Sequence, residues 1–261
     1  MNRTKIEWAD YSWNPVTGCL NDCWYCYGKK IATRFGEKYH KSDSKIHELV
    51  EYDGTRIDLK TDASIDYFSA GKLPVGWESH YPFGYEPTLH YNRLREPEEI
   101  KKPSKVFVCS MADLFGDWVP STWINEILNT VKRANWHTYI FLTKFPYRYK
   151  EFTFPKNCWL GTTITGEERE KEEAGKVKAI EQITTHNINF ISYEPLLGKP
   201  RYVAMVDWII IGGLTPKPKH KPEWVDFLIE DYGLHNNIPI FIKPNLKWHE
   251  KIQEFPAEKG R

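Results

Sequence analysis

Three cysteines stand close together near the start of the chain, in Trp13-Asn-Pro-Val-Thr-Gly-Cys-Leu-Asn-Asp-Cys-Trp-Tyr-Cys-Tyr-Gly28. Cys19, Cys23 and Cys26 follow a C-x3-C-x2-C spacing, with an aromatic ring, Tyr25, directly before the third. Three thiolates on one tight loop can hold three corners of a cubic iron–sulfur cluster. Such clusters usually take four cysteines, so this loop leaves one iron open to another ligand.

Two plainer chemistries compete. A structural zinc site wants four ligands, commonly as paired C-x2-C or H-x3-H units, and only Cys23 and Cys26 form such a pair. Cys109 and Cys158 fall inside predicted strands, where a thiol is usually a small buried hydrophobe. His40 is available as a fourth ligand, but no spacing argues for it. A redox C-x2-C would leave the third cysteine unexplained.

The elements that must position this loop can be read from periodicity. A first strand is predicted over Tyr11 to Val16, a turn at Gly18, and a helix from about Tyr25 to Phe35 with Ile31, Ala32 and Phe35 as its apolar edge. From Lys105 onward the pattern is regular. Strands are predicted at Val106–Ser110, Thr138–Thr143, Cys158–Ile164, Ile188–Tyr193, Trp208–Gly212 and Ile238–Ile242. Helices are predicted from Pro120, with Trp123, Ile124, Ile127, Leu128 and Val131 inward, from about Glu167 to His186, and from Pro222 to Gly233. Short apolar strands alternating with helices argue for a parallel sheet covered on its outside. No Gly-rich dinucleotide fingerprint follows the first strand. The fold expected is α/β, a partial or complete (β/α) TIM-type barrel of parallel strands.

Residues 36–104 form an irregular insertion in what reads as a single domain over 1–261. A structureless loop of that length is improbable, so short helices or a hairpin are expected there, acting as a lid, with an extended segment at Pro87–Leu94 and a short helix near 96–101.

Almost every strand ends in polar residues that its apolar run does not require: Asn14 and Thr17, Ser110 and Asp113, Thr143 and Lys144, Thr163 and Thr165, Ser192 and Glu194, Gly212 and Gly213, Lys243 and Asn245. In barrels the C-terminal strand ends converge on the active site, which would give these residues one mouth with the cysteine loop. Lys243, at the end of an apolar strand, needs a partner, either an anionic substrate group or a carboxylate such as Asp207 or Glu194.

Composition bounds the rest. The 41% hydrophobic content suffices for a sizeable core, and a net charge of +1 gives no overall pull toward nucleic acid or acidic membranes. Five cysteines, three of them clustered, do not make a disulfide framework. No run approaches the ~20 apolar residues of a membrane span, and the N-terminus lacks a signal peptide's apolar region. A cytoplasmic protein without membrane contact is expected. Aromatics at 15% suit a large cavity or a stacking surface.

The cysteine spacing, with its aromatic and its place after a first strand, resembles the signature of radical S-adenosylmethionine (SAM) enzymes. Ser110-Met-Ala-Asp-Leu-Phe115, Leu142-Thr-Lys144 and Thr162-Thr-Ile-Thr165 resemble, in their order, the motifs of the spore photoproduct lyase-like branch. Lys5-Ile-Glu-Trp8, Trp13-Asn-Pro-Val-Thr-Gly-Cys19, Ser192-Tyr-Glu-Pro-Leu-Leu197 and Ile211-Gly-Gly213 are similar to a phage-associated family of uncharacterised function. Many members of that second family have a longer gap between the first two cysteines.

The resemblance implies that Cys19, Cys23 and Cys26 bind three irons of a 4Fe–4S cluster, the fourth chelating the amino and carboxylate groups of SAM. It implies Tyr25 beside the adenine, and Ser110 and Asp113 as acceptors for the SAM ammonium or a ribose hydroxyl. Lys144 would face the SAM carboxylate, and Glu194 the ribose or the substrate. Thr163 and Thr165 would face the same cavity. A Lys144–Glu194 ion pair is the competing structural role. The implied substrate is a nucleobase or nucleic acid, cradled by the aromatic, Lys-rich segment from Lys38 to Arg95, or else a small metabolite or peptide. The implied partner is an electron donor such as flavodoxin or ferredoxin. A non-catalytic accessory protein holding zinc or an iron–sulfur cluster is the alternative from another class.

Overall fold

The structure, a computed structural model, describes residues 1–35, 45–52, 56–60, 65–69, 81, 83–183 and 186–257. The chain divides into two compact units, Met1–His137 and Thr138–Arg261.

In the first unit, β1 (Asn2–Arg3) pairs antiparallel with β2 (Tyr11–Trp13). The expected strand over 11–16 is broken, because Asn14 and Pro15 separate β2 from β3 (Val16–Thr17), and proline offers no N–H to a ladder. Helix α1 (Tyr27–Phe35) starts two residues later than expected, since the Cys26 amide donates to the Cys23 carbonyl in a turn instead (3.0 Å).

The described residues of the expected insertion include strands. β4 (His47–Tyr52) and β6 (Ile65–Ser69) each pair antiparallel with β5 (Arg56–Lys60) between them. β7 (Thr88–His90) pairs antiparallel with β3 and parallel with β4, giving the order β3-β7-β4-β5-β6. The expected hairpin is therefore part of a five-stranded sheet that includes the residues just before the cysteines. Trp77 and His40 lie outside the described residues.

Helix α2 (Glu96–Glu99) precedes β8 (Lys105–Val108), which pairs parallel with β2, Trp13 opposite Val108. Helix α3 (Ser121–Arg133) buries Trp123, Ile124, Ile127, Leu128 and Val131, the face its periodicity predicts.

The second unit is a parallel sheet in strand order, β9 (Thr138–Thr143), β10 (Cys158–Thr163), β11 (Ile188–Tyr193), β12 (Trp208–Ile211) and β13 (Ile240–Ile242). Between them stand α4 (Glu170–Glu181) and α5 (Pro222–Leu228), the latter continuing as a π-helix over Ile229–His235. Trp159, Phe190 and Trp208 share one sheet face, where Trp208 touches Trp159 (5.6 Å), Phe190 (5.5 Å) and Phe241 (6.1 Å). The opposite face meets the helices, with the Tyr193 and Tyr232 hydroxyls 2.7 Å apart.

The chain is thus α/β with a parallel sheet. Closure into a complete barrel is not what the pairing shows. The outer edge of β13 is taken by residues 252–254, through Ile242 N–H to the Ile252 carbonyl (2.7 Å) and Glu254 N–H to the Ile240 carbonyl (2.9 Å). Among the described residues, no helix is long and apolar enough to cross a membrane.

Candidate functional site

The cysteine loop leaves the C-terminal end of β2 and is stitched to the segment that leaves β8. The Asn14 side-chain oxygen accepts from the Ser110 hydroxyl (3.1 Å) and the Met111 amide (3.1 Å). The Gly18 amide donates to the Met111 carbonyl (3.0 Å) and the Cys19 amide to the Tyr85 carbonyl (3.0 Å). Gly18 has φ +83°, and a Cβ there would sit 2.2 Å from the Glu86 carbonyl oxygen, so only glycine fits. The parallel β2–β8 pair thereby brings Ser110 and Asp113 to the loop, as their strand-end positions suggest.

Each sulfur has donors around it. The Asn21 amide approaches Cys19 (3.4 Å), the Asn21 side chain approaches Cys23 (3.2 Å), and the Lys29 amide approaches Cys26 (3.3 Å). The Tyr85 hydroxyl lies 3.2 Å from the Cys26 sulfur. Burial pushes the Cys19 thiol up to about 12; the charge of Asp113 adds to this, while amide hydrogen bonds from Asn21 and Asp113 oppose it. A metal binding there must displace that proton.

The donor chemistry fits an iron–sulfur cluster, which takes thiolates whose potential is tuned by hydrogen bonds to sulfur. Among the described residues, no three His, Cys, Asp or Glu side chains are gathered as one metal ion requires. That convergence is the demand of a single ion such as zinc; a cubic cluster takes each thiolate at a separate corner. Cys158 is fully buried within β10, as expected, whereas Cys109 is buried at 3% exposure but lies one residue beyond β8, with φ +58°, and not inside the strand predicted for it.

Other expected residues of the first unit have local roles. Tyr25 is half-buried with its ring edge-on to Trp24 (5.4 Å). The Ser110 hydroxyl is engaged by Asn14. Asp113, 8% exposed, accepts from the Phe115 amide (3.3 Å).

Lys144, Thr163, Thr165 and Glu194 belong to the second unit. Thr163 is the register partner of Ser192, and Glu194 follows two residues later, in line with the same sheet face. Glu194 accepts from Lys243 (2.6 Å) and Asn245 (3.2 Å) on one oxygen, so Lys243 is the partner it takes. The Ser192 hydroxyl is buried without a partner among the described residues. Lys144 is half-buried, one residue beyond β9.

Thr165 is committed elsewhere. Its amide and hydroxyl both donate to Glu168 (2.9 Å each), which also accepts from the Gly166 amide (2.9 Å) and Lys176 (3.0 Å). This network, rather than a cavity, explains the hydroxyl. It also explains why α4 begins at Glu170 and not at Glu167.

Sequence reasoning missed Tyr85 and Glu168. Tyr85 lies in the least patterned segment and reaches Cys26 only through folding. Glu168 stands in a run of charges that looks solvated, and nothing in its spacing marks it.

A family profile described as "Protein of unknown function (DUF5131)" matches residues 3–261. No curated protein and no solved structure matches the chain.

Proposed function

The chain belongs to the DUF5131 family, and we propose that it is a radical SAM enzyme of the cytoplasm, with a barrel-like arrangement of its strands. The observation that carries this reading is the loop of Cys19, Cys23 and Cys26, ringed by N–H donors and stitched to the β8 exit segment that bears Asp113. Those cysteines would hold three irons of a 4Fe–4S cluster, leaving the fourth for SAM. When bound, the cluster would supply one electron to split SAM into methionine and a 5′-deoxyadenosyl radical.

The chain's own residues bind, orient and exclude water. Asn14 holds the Ser110–Met111 turn so that Asp113 stays beside Cys19, where a carboxylate suits an ammonium group. In the second unit, Glu194 accepts from Lys243 and Asn245 on one oxygen, and the resemblance assigns it the ribose or the substrate. The proposed substrate is a nucleobase or nucleic acid, on the strength of the resemblance.

The test is anaerobic reconstitution with iron and sulfide, followed by dithionite and SAM. Release of 5′-deoxyadenosine is expected, with Cys23→Ala losing the cluster and Cys158→Ala keeping it. Protein holding one zinc, without the broad absorbance near ~400 nm of an iron–sulfur cluster, would instead establish a non-catalytic metal-binding accessory protein.

A further inference from the structure

Beyond β12 the chain runs Gly212-Gly-Leu-Thr-Pro-Lys-Pro-Lys-His-Lys221, and beyond β13 it runs Lys243-Pro-Asn-Leu-Lys-Trp-His249. The first of these segments is fastened to the second at both of its ends. At one end the Asn245 side chain accepts from the Gly213 amide (3.2 Å) and donates to the Gly213 carbonyl (2.9 Å). The approach is close, since a Cβ on Gly213 would lie 2.8 Å from the Asn245 carbonyl oxygen. At the other end the His220 ring stands edge-on to the Trp248 ring, their centroids 6.5 Å apart. Between the fastenings Thr215, Lys217 and Lys219 are exposed, and Pro216 and Pro218 restrict the backbone. The span is a strap, tied at Gly213 and at His220.

The tie at His220 depends on charge. Its Nδ1 is buried with no partner among the described residues. An imidazolium carries a proton on each ring nitrogen, so charging the closed strap puts one at a buried position without an acceptor, which is costly. Burial accordingly lowers the His220 pKa. Charged neighbours do not relieve the cost. Lys217, Lys219 and Lys221 on the strap and Lys247 beside Trp248 are positive. Glu223, at the start of α5, and Glu250, just past the exposed His249, are themselves exposed, where water screens them.

We propose that the strap over residues 213–221 is a pH-sensitive latch, closed on the β13 exit segment while His220 is neutral and released when its ring is protonated. In the open strap the ring takes the ordinary histidine value of about 6.5. Closure is then complete above that value and weakens as pH falls below it. The consequence reaches past the strap, because Asn245 also donates to Glu194 (3.2 Å), beside Lys243. Opening the strap removes Gly213 from Asn245 and loosens the amide that steadies Glu194, the carboxylate to which the resemblance assigns the ribose or the substrate. The latch itself does not rest on the radical SAM reading.

The experiment is hydrogen–deuterium exchange of the full chain, followed at the Gly213 amide in wild type and His220→Phe at pH 7.5 and 5.5. The ratio of wild-type to variant rates should rise by up to about tenfold at the lower pH, the limit set by one group titrating at about 6.5. His220→Gln, uncharged at both values, should behave as the phenylalanine variant does and replaces it if the larger ring fails to fold. His249→Gln should keep the wild-type response. A ratio that does not change with pH, or a response that disappears with His249 instead, overturns the proposal. So does acceleration of the β9 to β13 amides in step with Gly213, which would mean that the whole unit opens.

Discussion

The Tyr85 hydroxyl lies 3.2 Å from the Cys26 sulfur, although 59 residues separate the two in the chain. Gly28 makes the approach possible, since a Cβ there would come within 2.8 Å of that hydroxyl. Burial, then the hydrogen bond and charge of Cys26, keep the phenol protonated, so it stands as a donor to a Cys26 thiolate. Tyr85→Phe should therefore cost only about 1 kcal/mol of stability. It should shift the midpoint potential of the reconstituted iron–sulfur centre to a more negative value, because a hydrogen bond to sulfur favours the reduced state. A redox titration showing equal midpoints for both proteins would remove Tyr85 from the site.

Gly18 ties the loop to the β8 exit. Gly18→Ala imposes a left-handed conformation on a residue with a Cβ, which costs roughly 1–3 kcal/mol, and drives that Cβ into the Glu86 carbonyl. Thermal melts should show the loss. Iron bound per chain after reconstitution should fall further than stability alone explains, since the Gly18 to Met111 bond positions Cys19.

Glu168 and Lys176 form a pair whose side chains are 6% and 8% exposed. Burial alone would raise the Glu168 carboxyl, but the Lys176 charge and the surrounding amides outweigh it and hold it below the usual carboxylate range. A depressed folded value means that the stabilisation is complete above the unfolded value and is lost as pH falls through the folded one. Glu168→Gln should therefore destabilise by about 3 kcal/mol at neutral pH. The gap to wild type should narrow once the pH drops below about 4.3, the ordinary glutamate value. Denaturant melts across that range provide the check, and a gap independent of pH would contradict the assignment.

The Ser192 hydroxyl is buried and has no partner among the described residues, with Ser192 the register partner of Thr163. An unsatisfied buried hydroxyl is destabilising, so Ser192→Ala should leave the ligand-free protein equally stable or more stable by about 1 kcal/mol. Denaturant melts provide the check, and a clear loss of stability in Ser192→Ala would mean that the hydroxyl has a partner after all.

Much of the scaffold was legible in the chain alone. The strands at 138–143 and 188–193 fall where their apolar runs place them, and α3 buries the five residues its period selects. These are local signals, written in side-chain periodicity. The insertion was illegible for the opposite reason. Its strands are stabilised by pairing across distance, β4 with β7 and β7 with β3, and pairing partners leave no periodic mark. Helix α1 shows a similar limit: Ala32 of its expected apolar edge is buried, but Ile31 is 37% exposed, while Gly28 is buried where Tyr85 needs room.

The sequence by itself determined the three-thiol loop, because the chemistry of C-x3-C-x2-C resides in residue types and in a few bonds of backbone. It also determined the alternation of strands and helices from residue 105 onward. Only the tertiary structure decided what surrounds the thiols, through Tyr85, the Gly18 to Met111 bond and the charge of Asp113 beside Cys19. It likewise decided that Thr165 serves Glu168, and that Glu194 pairs with Lys243. Hydrogen-bond partners and burial depend on which distant segments meet, and that is settled by the packing of the whole core rather than by any local spacing.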